Sequence, residues 1–331
     1  MGHLIAISLE GSLSTQNNER EIMGQIANGQ TLFDRLNHYD ELLMLEGRMG
    51  YEPGCMVTLI APSLLSHNIC EADIMAISET DDPVPGAREA IKSLQDKSLK
   101  LIVIGANCCS HAHHIASQLD VDPEHVACTR LPIDSFSNQL DDSDRAFVLA
   151  FEEKLLSIEP DDDDALRNLC NNFFWINLPE RPLGKFIKRI KVFSGSRKTE
   201  ALARFAVQFK ADASECVAVG GGITDTRMLV TVERAGGLAT VFNGNDYSVP
   251  YGTVGVAALN LQTALPLIEA FLDGGRERVE SFVEETPKPE NDNEGPHYHW
   301  LSHTWEYEEI VEIHKNLRTT LAERAVTPDS G

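Results

Sequence analysis

Residues 216 to 229, Cys-Val-Ala-Val-Gly-Gly-Gly-Ile-Thr-Asp-Thr-Arg-Met-Leu, constrain the fold more than any other stretch of this chain. A short apolar strand, Val217 to Val219, runs into three glycines, then Asp225, then a segment with an apolar helical face. In an open α/β sheet, ligands and chemistry collect at the carboxyl ends of strands. A glycine turn closed by an acid is one way such a sheet presents a carboxylate to a metal beside a phosphate.

Three other segments have a comparable shape. His3 to Leu13 reads as a buried strand ending in Ile7-Ser8-Leu9-Glu10-Gly11-Ser12-Leu13. Leu99 to Asn107 reads as a second, and Lys198 stands at a helix start in Ser-Gly-Ser-Arg-Lys-Thr-Glu-Ala-Leu. Together with the glycine turn, and in this order, they resemble the four motifs of the haloacid dehalogenase (HAD) superfamily of phosphohydrolases. Tyr51-Glu52-Pro53-Gly54 and Val241-Phe242-Asn243-Gly244-Asn245 add weaker support. The set resembles a HAD-like group found near energy-converting hydrogenase genes in methanogens. The first motif of that group tends to read Asp-x-Glu-Gly-Pro, which Glu10 matches. The resemblance covers roughly the first four fifths of the chain, judged from motif spacing.

The resemblance implies an α/β fold, a doubly wound and mostly parallel Rossmannoid sheet with helical cap insertions. On that pattern 1–15, 83–122 and 193–285 form the HAD-like core. Residues 16–82 form a small helical cap, 123–192 a helical insertion, and 286–331 a linker and C-terminal helix. Apolar residues at helical spacing in the first block, from Glu21 to Leu65, agree with this, and Pro53-Gly54 breaks it between helices. In the second block Asp141 to Asp144 and Asp161 to Asp164 read as helix starts, because short acidic side chains cap free amides. The second run lacks the alternating ligands and glycine of a calcium loop. Pro179 and Pro182 are expected to close the block, Gly274-Gly275 to end a helix, and His299 to Ala325 to form one amphipathic helix with Ile310, Ile313 and Leu317 on one face.

Carried over residue by residue, the nucleophile position is Ser8, where the family has an aspartate. The acid–base position is Glu10. The second-motif hydroxyl position is Gly105, followed by Ala106, with Asn107 and Cys108 nearby, and Lys198 keeps the phosphate-binding lysine. In the fourth motif Gly221 stands where a metal-binding acid is expected, between Gly220 and Gly222, while Asp225 remains. A HAD phosphatase forms an aspartyl phosphate and needs magnesium held by hard carboxylate oxygens. Losing two of those carboxylates together points to a degenerate site and a non-hydrolytic binding or regulatory pseudoenzyme with no cofactor. The alternative is a phosphohydrolase acting on a small phosphorylated metabolite, with Asp225 holding magnesium and Glu10 moving a proton. Lys198 and the amides of Gly220, Gly221 and Gly222 are the expected phosphate-binding groups. A purely structural pairing of Lys198 with Asp225 is the competing reading. Ser8, Gly105, Lys198 and Asp225 are expected to meet at one edge of the sheet, and restoring both Ser8→Asp and Gly221→Asp to recover some turnover.

Composition limits the partners. The chain has 331 residues, 51 acidic against 28 basic side chains, and a net charge of −23. Its long-range field opposes nucleic acid and anionic membranes, leaving a phosphorylated small molecule or a protein as the expected partner. Seven cysteines without regular spacing, and a start that lacks a signal peptide's basic and apolar regions, point to reduced thiols in the cytoplasm. No apolar run has the length to span a bilayer. His111 and His114, with Cys108, have the spacing of a metal site after the second strand, and His297, His299 and His303 form another histidine-rich tract. A polar helix start and solvated residues before a helix are the simpler readings of the two.

Overall fold

A computed structural model describes residues 2–137 and 139–326. Six short strands are parallel: β1 (Leu4–Ser8), β2 (Lys100–Cys108), β3 (Val126–Thr129), β4 (Cys216–Gly220), β5 (Leu238–Phe242) and β6 (Val254–Ala257). A seventh, β7 (His297–Trp300), is antiparallel to β6, and the sheet order is β3-β2-β1-β4-β5-β6-β7. β1, β4 and β5 are buried throughout, as expected for parallel strands covered by helices on both faces. The chain reverses its direction of winding between β1 and β4, which pair with each other, so their carboxyl ends flank a switch point. Ser8 ends one of these strands and Gly220 the other.

The helical blocks pack together rather than separately. Ile22, Leu36 and Leu64 of the first share one apolar core with Val148, Phe151 and Leu183 of the second. Both acidic starts cap helices as expected: Asp141 Oδ1 accepts the Asp144 amide at 2.7 Å, and Asp162 Oδ1 the Ala165 amide at 2.9 Å. This helical layer is tied to the motif loops through the Tyr51–Gly54 turn. Ser196 Oγ donates to Glu52 Oε1 at 2.9 Å, and Arg227 Nε lies 3.3 Å from Glu52 Oε2. Gly54 is required here, because a Cβ would stand 2.3 Å from Thr224 Cγ2.

Three expectations need correction. The stretch 123–192 contains a sheet strand, β3, too short and too flanked by polar residues to stand out. Pro182 begins the helix Pro182–Ile187 instead of ending the block, since a first-turn proline forfeits no helical bond. Gly274 and Gly275 have non-helical dihedrals and end one helix as expected, and a second helix runs on from them to Glu285. The segment from His299 is not one helix: His297–Trp300 is strand β7, and the helix spans Tyr307–Val326. Ile310, Ile313 and Leu317 are buried on it as their spacing predicts.

The cysteines are not all free. Cys109 and Cys128 form a disulfide with Cα atoms 5.0 Å apart, and the other five are thiols. The two lie at the adjoining ends of neighbouring strands β2 and β3, a proximity that a linear separation of 19 does not announce. No helix among the described residues is long and apolar enough to cross a membrane.

The Tyr307–Val326 helix is pinned by a histidine pair. His314 is buried against β6, where Gly255 leaves room: a Cβ there would lie 2.9 Å from His314 Nε2. The Gly244 amide donates to His314 Nδ1 at 2.9 Å, which places the proton of the neutral ring on Nε2. His299 Nδ1, 3.3 Å away, then accepts it. Burial holds His314 well below the usual histidine range, and burial with the neighbouring His297 lowers His299 to about 4.

Candidate active site

The motif residues meet at the carboxyl ends of β1, β2 and β4. Lys198, in the first turn of helix Ser196–Phe209, is buried and carries three hydrogen bonds. Its Nζ donates to Ser8 Oγ at 2.9 Å, Glu10 Oε2 at 2.8 Å and Asp225 Oδ1 at 2.7 Å. An ammonium has three protons, so Lys198 is saturated by its own protein. Burial opposes its charge, but the Asp225 and Glu10 carboxylates outweigh that and hold its pKa above the ordinary lysine value.

The remaining donors and acceptors are matched as closely. Asp225 Oδ2 accepts the amides of Gly221 and Gly222, both at 3.0 Å. Glu10 Oε1 accepts the Asn107 amide at 2.9 Å, and Ser8 Oγ donates to Glu10 Oε2 at 3.3 Å. The glycines permit this closeness. A Cβ on Gly220 would lie 2.7 Å from the Asp225 carboxyl, and one on Gly105 would lie 3.0 Å from Leu9 and 3.2 Å from Glu10 Oε1. Gly221 is the most confined, with its hypothetical Cβ 2.2 Å from the Phe242 carbonyl oxygen. A side chain there requires the backbone to move. The expectation that Gly221→Asp reinstates a ligand therefore meets a steric obstacle.

Magnesium, which the resemblance implies, does not fit these residues. It requires carboxylate oxygens free to coordinate. Asp225 has committed Oδ1 to Lys198 and Oδ2 to two amides, Ser8 is a neutral hydroxyl, and Gly221 has neither a side chain nor room for one. The Gly221 and Gly222 amides and the Lys198 ammonium, expected to face a phosphate, are turned on Asp225 instead. Ala106 is a buried strand residue whose carbonyl accepts the Thr129 hydroxyl at 2.6 Å. The histidine tract after β2 diverges. His111 Nε2 lies 3.2 Å from Ser14 Oγ, His113 Nε2 3.7 Å from Cys128 Sγ, and His114 Nε2 2.6 Å from Gln118 Nε2. Among the described residues, no three His, Cys, Asp or Glu side chains are placed to hold a metal ion.

A cavity of about 230 Å³ opens beside this cluster, between Glu10 and the helical layer. Of its lining groups, Arg318 and Gln16 carry no motif signal, and Asn107 ends the second-motif segment. Arg318 reaches it from the C-terminal helix and donates to the Gly221 carbonyl at 3.3 Å. Burial lowers the Arg318 pKa, against the pull of Asp225. Asn107 Nδ2 donates to Glu19 Oε2 at 2.8 Å, while Asn107 Oδ1 and Gln16 Oε1 are buried without a partner among the described residues. Buried acceptors of this kind are met by ordered water or by a donor on a ligand.

Burial, reinforced by the Glu10 charge, raises the Glu19 pKa to about 7. Its folded value thus exceeds the 4.5 expected when unfolded, so its contribution to stability is complete below pH 4.5 and is lost as pH rises through 7. Glu19→Gln, which stays neutral, should therefore be more stable than the wild type at pH 8 by about 1–3 kcal/mol and nearly equal to it at pH 4.5. Urea unfolding at the two pH values measures this, and an equal difference at both would refute it.

No protein-family model matches the sequence, and no curated protein matches it. Solved structures do. Gene product AF1437 from Archaeoglobus fulgidus superposes with a TM-score of 0.84 at 23% identity, covering 99% of each chain. A phospho-aspartyl intermediate analogue of phosphoserine phosphatase superposes with a TM-score of 0.52 at 15% identity, over 80% of this chain and 98% of that one. A substrate-bound phosphoserine phosphatase complex gives 0.51 at 16% identity over the same shares. The fold is that of the HAD-like phosphatases, a mostly parallel seven-stranded sheet between helices.

Proposed function

We propose that this protein is a non-hydrolytic HAD-like binding or regulatory protein, a pseudoenzyme whose former phosphoryl-transfer centre has become a closed ionic lock. One observation carries the reading: Lys198 is fully hydrogen-bonded by Ser8, Glu10 and Asp225, and the second Asp225 oxygen by the Gly221 and Gly222 amides. Position 8 offers no nucleophilic carboxylate, and every oxygen of Asp225 and Glu10 already accepts a hydrogen bond from the protein. The ligand enters the adjacent cavity, not the lock. Arg318 recognises a phosphate or carboxylate, and the orphan oxygens of Asn107 and Gln16 recognise a donor on the same molecule. A small phosphorylated metabolite with an amine or hydroxyl group has that chemistry. The match of Glu10 to the first motif of the hydrogenase-associated HAD-like group fits a protein kept for something other than hydrolysis.

A second reading, a phosphohydrolase with atypical acid–base groups, is favoured by Glu19, whose raised pKa of about 7 suits proton transfer at neutral pH. Assay of p-nitrophenyl phosphate with and without magnesium separates the two. The expected result is no turnover above background in either condition. Magnesium-dependent hydrolysis abolished by Asp225→Ala would replace the first reading with the second.

A further inference from the structure

A cavity of about 880 Å³ lies away from this site, along the outer edge of the sheet beside β3. Its charge opposes that of the rest of the molecule. Arg130, Lys185, Arg189, Lys191 and Arg204 line it, and no aspartate or glutamate does. Five basic side chains thus share one concavity that no acid among the described residues lines.

None of these five forms an ion pair among the described residues, and Arg204 instead packs its guanidinium 5.1 Å from the Phe205 ring centroid. Unpaired like charges gathered in a hollow repel one another, and an anionic occupant relieves that repulsion. The overall negative charge does not prevent this. At about 0.15 M salt the screening length is about 8 Å, so a ligand inside the cavity feels its five cations more than remote surface acids.

The other walls are apolar. Phe136 and Phe186 stack at 4.3 Å between ring centroids, and Phe193 and Ile190 continue the lining. The Cys109–Cys128 disulfide closes the floor, tying the end of β2 to β3. The volume falls within the range of about 300–1,000 Å³ typical of sites for small organic ligands. We propose that this cavity binds an organic polyphosphate of nucleotide size, its phosphates met by the five cations and its body by the phenylalanine wall. The site is separate from the motif cluster, and it stands whether or not that cluster is catalytic.

Calorimetric titration with ATP and with tripolyphosphate, in EDTA and about 0.15 M salt, tests it. The expected result is saturable one-site binding of ATP, tighter than that of tripolyphosphate. Arg189→Ala with Lys191→Ala should weaken ATP binding about tenfold or more, as for lost charge-assisted hydrogen bonds. Arg88→Ala with Lys92→Ala removes the same charge from the exposed face of helix Ala87–Asp96 and should change it less than about twofold, in keeping with screened remote charges. Absence of saturable ATP binding, equal weakening by the two pairs, or loss on Arg318→Ala instead would each overturn the proposal. Equal affinity for ATP and tripolyphosphate would overturn the role given to the apolar wall.

Discussion

Replacing Lys198 by methionine should destabilise the protein by about 3–5 kcal/mol, because it strands two carboxylates that this lysine alone neutralises at short range. Asp225 is buried and Glu10 mostly so, and both lie within 2.8 Å of Nζ. The side chain left behind keeps the volume and loses the charge. By the usual scaling this lowers the melting temperature by roughly 5–10 °C. Adding Glu10→Gln and Asp225→Asn to Lys198→Met should recover much of the loss, since the uncompensated charges are then gone. In a working phosphatase, substituting the corresponding lysine would mainly abolish turnover. Here the expected readout is stability, followed by urea unfolding. A loss below about 1 kcal/mol, the scale of an exposed pair, would show that the lock contributes little.

The doubly restored variant, Ser8→Asp with Gly221→Asp, is expected to stay inactive and to unfold more easily than the wild type. Sequence reasoning alone suggests recovery, since two acids are put at positions where the resemblance expects them. The local geometry points the other way. A Cβ on Gly221 meets the Phe242 carbonyl oxygen at 2.2 Å, so β4 and β5 must separate at their ends to admit it. An aspartate at position 8 adds a third carboxylate around one saturated ammonium. Crowding in a packed interior costs about 1–3 kcal/mol, and a partly buried charge without a partner adds to that. Ser8→Asp alone should leave the fold intact at lower stability. Magnesium-dependent release of phosphate from an aryl phosphate by the double variant would show that the glycine turn is softer than its packing implies.

The sheet and the meeting of Ser8, Lys198 and Asp225 were legible because they rest on local signals. The strands β1, β2, β4, β5 and β6 are short apolar runs, unlike β3 and β7, and Ser8, Lys198 and Asp225 stand just at or after a strand end or at a helix start. What the sequence did not announce depends on contacts between distant segments. Glu19 has an ordinary helix-start appearance, and only burial beside Glu10 raises its pKa to about 7. Arg318 is one of several polar residues between Leu317 and Leu321, and periodicity places it on a helix without saying what it faces. The paired cysteines and the basic hollow are likewise products of strand adjacency and of the fold of 182–209 against β3. Gly221 is the instructive middle case. Its identity departs from the acid that the resemblance expects, while the obstacle to placing one there lies in the neighbouring strand.

The path of the chain also sets an order of events during synthesis. Strands β1, β2 and β4 are all complete once residue 220 has left the ribosome, so the lock of Lys198 can close as soon as Asp225 follows. Arg318 arrives almost a hundred residues later, on a helix that must dock through His314 over β6. For much of translation the nascent protein therefore holds a finished ionic lock beside an unfinished cavity. The Arg318 wall of that cavity is added only after strands β1, β2 and β4 around the cluster are in place.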